Sequence, residues 1–344
     1  MKVDGGIGFE NAATSAREAE DAGYSGVWTA ETNHDPFFPL LLAAGSTEHL
    51  ELGTSIAVAF ARNPMNLAYL ANDLQSYSAG RFTLGLGSQV KPHIERRFSM
   101  PWSRPAARMR ELIQALQAIW QCWETGERLA FRGEFYQHSL MTPFFSPGPN
   151  PYGRAAVHLA AVGTAMTEVA GEVADGLLVH AFTTRRYLSE VTLPALERGA
   201  LLAGRSRSDL EVSYPCLVAT GVTDEAMARA IRKVRQQIAF YASTPAYRAV
   251  LLLHGWEALG EELTALSVSR RPERWVEMGA LIDDAVLDEF AIVSPPEGVA
   301  AAIRRRFDGL VDRVSFYAPY EHDPHLWLTP LEDLHSSVPE PVAR

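Results

Sequence analysis

Two apolar runs, LELGTSIAVAFARNP over residues 50–64 and FTLGLGSQ over residues 82–89, constrain the fold more than any other part of the chain. Each is a stretch of β-branched and aliphatic residues that ends in small or polar ones, and a helical segment lies between them. Apolar runs of this length, bounded by turn residues and separated by a helix, are what buried parallel strands look like. Their ends carry more information than their middles. Gly53, Thr54 and Ser55, then Gly87, Ser88 and Gln89, put small or polar groups where a barrel keeps its ligand-binding face. That arrangement admits a flat heterocycle and hydrogen-bonds its edge.

Strands are predicted at residues 2–8, 26–31, 52–60, 82–88, 156–162, 176–180, 211–220 and 313–317. Helices are predicted at 11–22, 37–49, 64–79, 105–125, 164–174, 184–204, 224–241 and 296–308, with a small hairpin at 131–136. Gly23 closes the first helix, and Pro64 opens the third where its missing N–H costs nothing. Eight strands alternating with helices give a parallel sheet covered by helices, and closure into a (β/α)8 TIM barrel explains the count. At 344 residues the chain exceeds the roughly 250 of a bare barrel. One domain over 1–344 is expected, with insertions at about 89–104, 126–155 and 243–293.

A net charge of −10 argues against a nucleic-acid partner, because binding phosphates needs a basic face. The one cationic triplet, Arg304, Arg305 and Arg306, falls on a helix and reads as a solvated face. Cys122 and Cys216 read as small core residues rather than a disulfide. No run approaches the roughly 18 apolar residues of a membrane span, and MKVDGGIGFE does not resemble a signal peptide, so a cytoplasmic protein is expected. Gly85-Leu86-Gly87 begins like a dinucleotide fingerprint, but the third glycine is missing and the motif follows the fourth strand, so close approach within a strand is the better reading. His322-Asp323-Pro324-His325 has loose metal-ligand spacing with no partner cluster; a surface turn is expected and no metal.

Five segments in order, GTSIAVAFARNP, AGRFTLGLGSQ, FRGEFYQ, VHLAAVGTAMTEVAGEVADGLLVHAF and SPPEGVAAAIRRRFDGLVDRVSFYAP, resemble the luciferase-like monooxygenase superfamily, and within it the branch using the deazaflavin coenzyme F420. The likeness covers residues 2 to about 318. It implies a luciferase-like barrel, a homodimer, and a non-proline cis peptide in the third strand, here Ser55–Ile56, propping one face of the ring system. It also implies that Gly87, Ser88 and Gln89 line the ring's polar edge, and that Ala161, Val162, Gly163 and Thr164 hold the side chain's phosphate. A helix opening at Gly163 and Thr164 suits an anion, since its first N–H groups are free and its dipole end is positive; a plain turn with a Thr cap has the same composition.

A deazaflavin moves hydride, so the protein need only orient the substrate, handle one proton and keep water away. Related sugar-phosphate dehydrogenases carry Asp-His after the second strand; here Glu31-Thr32 stands at that pair, with His34 two residues on. Glu31 beside an apolar ring, with a raised pKa, is the first choice for proton donor or acceptor, and His34 the second. His180 ends the sixth strand and is the third candidate, whereas His158 begins the fifth and reads as core. Thr183 replaces the lysine that holds the sugar phosphate in those relatives, which argues against a phosphorylated sugar. Trp102, Phe37, Phe38, Phe144, Phe145 and Phe182 point to an aromatic-lined pocket or to core and lid packing. The expected activity is hydride transfer between F420 and a small-molecule substrate, an apolar carbonyl, alcohol or enone. An FMN-dependent monooxygenase and a non-catalytic flavin-binding protein are the alternatives.

Overall fold

The apolar runs become β1 (Lys2–Gly6), β2 (Gly26–Thr29), β3 (Glu51–Thr54), β4 (Phe82–Gly87), β5 (Ala156–Ala161), β6 (Gly176–Val179), β7 (Glu211–Ala219) and β8 (Arg313–Tyr317). In this computed structural model, which describes residues 1–336, the strands are hydrogen-bonded in the order β7-β8-β1-β2-β3-β4-β5-β6, and β6 also pairs with β7. This is the closed (β/α)8 barrel that the alternation of strands and helices predicts. Short strands at Ala57–Val58 and Ala291–Val293 add to β4 and β7. The helices between strands are α1 (Ala12–Ala22), α2 (Phe37–Ala44), α3 (Pro64–Tyr77), α4 (Pro105–Thr125), α5 (Thr164–Val173), α6 (Leu193–Leu202), α7 (Asp224–Ala242) and α8 (Pro296–Phe307). Among the described residues, no helix is long and apolar enough to cross a membrane.

The chain packs as two compact units whose boundaries fall inside β1, β6, α6 and β7. One comprises Asp4–Leu178 and Ala195–Glu211. Its core is built from strand residues such as Val27, Leu52, Leu84, Leu86 and Val157, with helix residues Leu67, Leu112 and Leu116 packed among the fully buried side chains. Asn63 caps α3, its side chain accepting from the Asn66 N–H at 3.0 Å, with Pro64 in the first turn. His158 is buried, its ring 5.9 Å from that of Trp28, as a core histidine should be.

The other unit holds Met1–Val3, Val179–Pro194 and, among the described residues, 212–336. Here α7 packs against the helices of the 243–293 insertion around Phe182, Val234, Ile238, Leu263, Met278 and Phe290. Phe182 and Phe290 stack at 4.4 Å, so Phe182 is core rather than pocket lining.

Several boundaries differ from expectation for identifiable reasons. Helix α2 stops at Ala44 instead of running to residue 49. The Glu20 carboxylate accepts the backbone N–H groups of Glu48, His49 and Leu50, and the Ser46 and Thr47 hydroxyls donate to the Ala43 carbonyl; both pull the chain out of helical geometry. The 89–104 insertion is not wholly irregular, because one wide helical turn at His93–Arg97 buries Ile94. The helix expected over 184–204 opens with a short α-helical turn at Arg185–Tyr187 and passes through a similar wide turn at Leu188–Thr192 before α6. The hairpin pairs Phe131–Arg132 with Gln137–His138. The third strand is not continuous to residue 60, and its interruption builds the site.

Candidate active site

Leu52 and Gly53 of β3 pair with Phe82 and Thr83 of β4, whereas Ala57 and Val58 pair with Leu86 and Gly87. Between these ladders the third strand advances from 53 to 57 while its neighbour advances only from 83 to 86. The third strand therefore carries a bulge of one extra residue. The Ser55–Ile56 peptide within it is cis. Thr54 replaces the missing ladder bonds: its hydroxyl donates to the Gly85 carbonyl at 2.6 Å and accepts from the Gly85 N–H at 2.9 Å. Only glycine permits that approach, because a Cβ at position 85 would lie 1.7 Å from the Thr54 carbonyl oxygen.

The bulge presents Ile56, half-buried, and Ser55, exposed. A Cβ at Gly87 would meet Ile56 Cγ1 at 2.8 Å and Cδ1 at 2.9 Å. Gly87 therefore leaves room for the Ile56 side chain. Ser88 and Gln89 follow, both half-buried. Gln89 has φ 60°, a left-handed conformation uncommon outside glycine, and it turns the chain out of β4. Its side-chain oxygen accepts from the Val90 N–H at 3.0 Å, and the Ser88 hydroxyl donates to the Gln89 carbonyl at 3.1 Å.

Glu31 braces this segment. Its N–H donates to the Ile56 carbonyl at 3.2 Å, and its carboxylate accepts from the Val58 N–H at 2.7 Å and from Arg62 Nη1 at 2.5 Å. Arg62 also reaches Asp35 at 3.0 Å and lies over the Phe37 ring. The sequence reading set Glu31 beside an apolar ring; the structure sets it in an ion pair, with its side chain 7% exposed. A carboxylate with two donors on one oxygen is held as an acceptor. Among the described residues His34 has no such partner: it is exposed on the loop after β2, its ring stacked on Phe9 at 5.1 Å. Arg97 ties the 89–104 insertion to the same loop, donating to the Thr32 carbonyl at 2.6 Å.

At the end of β5, Ala161 is buried, Val162 half-buried, and Gly163 and Thr164 exposed. Gly163, not Thr164, is the cap of α5, and no side chain caps the helix. The first intrahelical bond to the cap runs from the Thr167 N–H to the Gly163 carbonyl, so the preceding N–H groups of this turn stay available to an anion.

His180 belongs to a separate cluster. Its ring lies 4.5 Å from Tyr247 and 4.8 Å from Tyr241, and the Tyr241 and Tyr317 hydroxyls are 2.9 Å apart. Burial lowers its pKa to about 4, so the imidazole is neutral near pH 7. Its Nδ1 accepts from the Phe182 N–H at 3.0 Å, which leaves the proton on Nε2. Tyr241 is pushed up by burial and by its Tyr317 partner. The six aromatics singled out in the sequence do not form one pocket: Phe37 is buried, Trp102 meets Phe60 edge-on, and Phe38, Phe144 and Phe145 are exposed. Among the described residues, no group of three or more His, Cys, Asp or Glu is placed to hold a metal.

The family model of the luciferase-like monooxygenases matches residues 1–313. The chain belongs to that family. It is 55% identical over 316 residues to an uncharacterized protein of Mycobacterium tuberculosis, covering 91% of this chain and 92% of the relative. It is 31% identical to the F420-dependent glucose-6-phosphate dehydrogenase of Beutenbergia cavernae, over 75% of this chain and 76% of that one. Among solved structures it is similar to the coenzyme F420-dependent tetrahydromethanopterin reductase of Methanopyrus kandleri, with a TM-score of 0.77, 20% identity, and coverage of 97% and 96%. The family is one of oxidoreductases, and the chain is an enzyme.

Arg62, Phe9 and the three tyrosines escaped the sequence reading. The signal for Arg62 was present, as a lone charge closing an apolar run in FARNP. For Tyr241, Tyr247 and Tyr317 there was none, since they come from a helix, an insertion and a strand end.

Proposed function

We propose that this enzyme transfers hydride between coenzyme F420 and a small, uncharged carbonyl, alcohol or enone. The observation that carries the reading is the bulge that turns a half-buried Ile56 outward, backed by Gly87 and bracketed by the polar Ser88 and Gln89. These residues fit a flat heterocycle: an apolar platform for one face, hydrogen-bonding groups for an edge, and the open first turn of α5, with Ala161, Val162, Gly163 and Thr164, for a side-chain phosphate. Bound F420 supplies two-electron hydride chemistry.

The chain's own residues then bind, orient and move one proton. Glu31 acts through Arg62 and Val58 to hold the bulge, so it is a positioning residue. His34, exposed and unencumbered, is the proton carrier, and Phe9 orients its ring. Thr183 is buried, and its carbonyl accepts from the Tyr214 hydroxyl at 2.9 Å. Thr183, standing where a lysine would hold a sugar phosphate in the related dehydrogenases, favours an uncharged substrate over a phosphorylated sugar.

A homodimer is part of the same proposal, supported by the exposed apolar side chains Phe38, Leu41, Leu42, Leu70 and Tyr77 on the neighbouring helices α2 and α3. The deciding experiment titrates the apoprotein with F420 and with FMN, then follows hydride turnover with cyclic ketones, enones and secondary alcohols. Tight F420 binding with turnover is the expected result. Binding of FMN alone, with oxygen uptake, would replace this reading with a monooxygenase.

A further inference from the structure

We propose that the groove between the start of α7 and the segment after β8 is a second ligand site, built for a monocarboxylate carried on an apolar body. The cavity has a volume of about 340 Å³, within the roughly 300–1,000 Å³ of small-molecule sites. None of its lining residues is among those assigned above to cofactor or proton transfer.

One wall carries a polar group that lacks a partner. Thr220 is 1% exposed, and its hydroxyl is buried with no hydrogen-bond partner among the described residues. Its backbone is already satisfied, the N–H donating to the Tyr320 hydroxyl at 3.0 Å. A buried hydroxyl is normally paired, and Thr220 is one of the residues that line the cavity. Val222, Ala226, Leu326 and Tyr320 supply apolar lining for the body of a ligand.

The charged lining selects its head group. Arg229 is exposed and forms no ion pair among the described residues. Its planar guanidinium offers the paired N–H donors that match a carboxylate. The imidazoles contribute differently. His322 donates its Nδ1–H to the Tyr320 carbonyl at 2.8 Å and His325 donates its own to Asp323 at 2.8 Å, so both spend that donor within the loop. Loops after the seventh and eighth strands commonly hold phosphate in barrel enzymes. Here Glu321 and Asp323 line the same cavity as a single free guanidinium, which repels a dianion and leaves a singly charged carboxylate as the matched class.

The test is calorimetric titration of the full-length protein, without cofactor, using 2-naphthoate, its neutral analogue 2-naphthylmethanol, and inorganic phosphate. Naphthoate is expected to bind one per chain and at least about tenfold more tightly than the alcohol, as a charge-assisted pair implies. Arg229→Met should abolish that preference while leaving the thermal midpoint unchanged, since the side chain is exposed. Thr220→Val should weaken both naphthyl ligands severalfold; if that variant does not fold, the Arg229→Met comparison decides alone. No naphthoate binding, equal affinity for acid and alcohol, tighter binding of phosphate than of naphthoate, or an Arg229→Met variant indistinguishable from the parent would each overturn the proposal.

Discussion

Arg62 reaches back across the bulge to Glu31, 2.5 Å from its carboxylate, and the same carboxylate oxygen takes the Val58 N–H. One mostly buried side chain thus ties the end of β2 to both the backbone and the charge that follow the interruption of β3. Breaking such a pair from one side leaves the other charge uncompensated.

Glu31→Gln is therefore expected to lower unfolding stability by about 1–3 kcal/mol, and to weaken F420 binding because Ile56 loses its support. Urea unfolding and fluorescence titration read the two effects. Arg62→Gln should cost a similar amount, and the double variant far less than the sum. A Glu31→Gln enzyme with full stability and cofactor affinity but little turnover would return the proton to Glu31.

Gly87→Ala places a methyl carbon 2.8 Å from Ile56 Cγ1 and 2.9 Å from Cδ1, closer than such carbons pack. The Ile56 side chain has to swing outward, at an overpacking cost of about 1–3 kcal/mol. Cofactor affinity should fall by about tenfold, and the fold should survive. Unchanged affinity would mean that Ile56 is not the platform.

His34→Ala should lower turnover by about 10²–10⁴-fold, the usual value of a positioned acid or base, with cofactor affinity unaltered. Phe9→Ala should reproduce part of that loss, because the histidine ring it stacks on becomes free to rotate. Unimpaired kcat in His34→Ala excludes the assignment.

The depressed pKa of His180, about 4, has a signed consequence for stability. In the unfolded chain the imidazole takes up its proton near pH 6.5, while the folded one stays neutral down to about pH 4. Between those values the unfolded state binds more protons, so stability falls as pH falls, by up to about 1.4 kcal/mol per pH unit from this group. His180→Gln should flatten that part of the profile in urea unfolding measured from pH 7 to pH 4.

Leu41→Glu and Leu42→Glu each put a charge on the exposed face of α2. If that face joins two copies, either substitution shifts sedimentation from dimer to monomer at micromolar concentration without loss of helix content. A monomeric parent protein would refute the assembly.

The barrel was legible because its signals are local: apolar runs, glycine stops and proline starts recur along the chain at strand and helix spacing. The bulge was legible only in position, as a small-polar interruption at Gly53-Thr54-Ser55. What surrounds it was not. Arg62 meets Glu31 across 31 residues, and Glu20 ends α2 through backbone groups 28 to 30 residues away. Pairing at that separation is set by how strands and helices pack, which no local pattern encodes. The Ile56 side chain packed on Gly87 was hidden for a related reason: a glycine beneath an isoleucine reads like any other until the neighbouring strand is in place.

Between positions 53 and 57 the third strand counts four steps against its neighbour's three. The outward surface there rests on arithmetic as much as on chemistry. Exchange any one of these side chains and the tally survives. Delete a single residue, and the two strands would march in step, each following side chain trading the barrel's inside for its outside. Ala57 and Val58, now fully buried, would be the first displaced. This segment should tolerate spelling changes far better than the loss of one letter, the reverse of what is usual for a chain's surface loops.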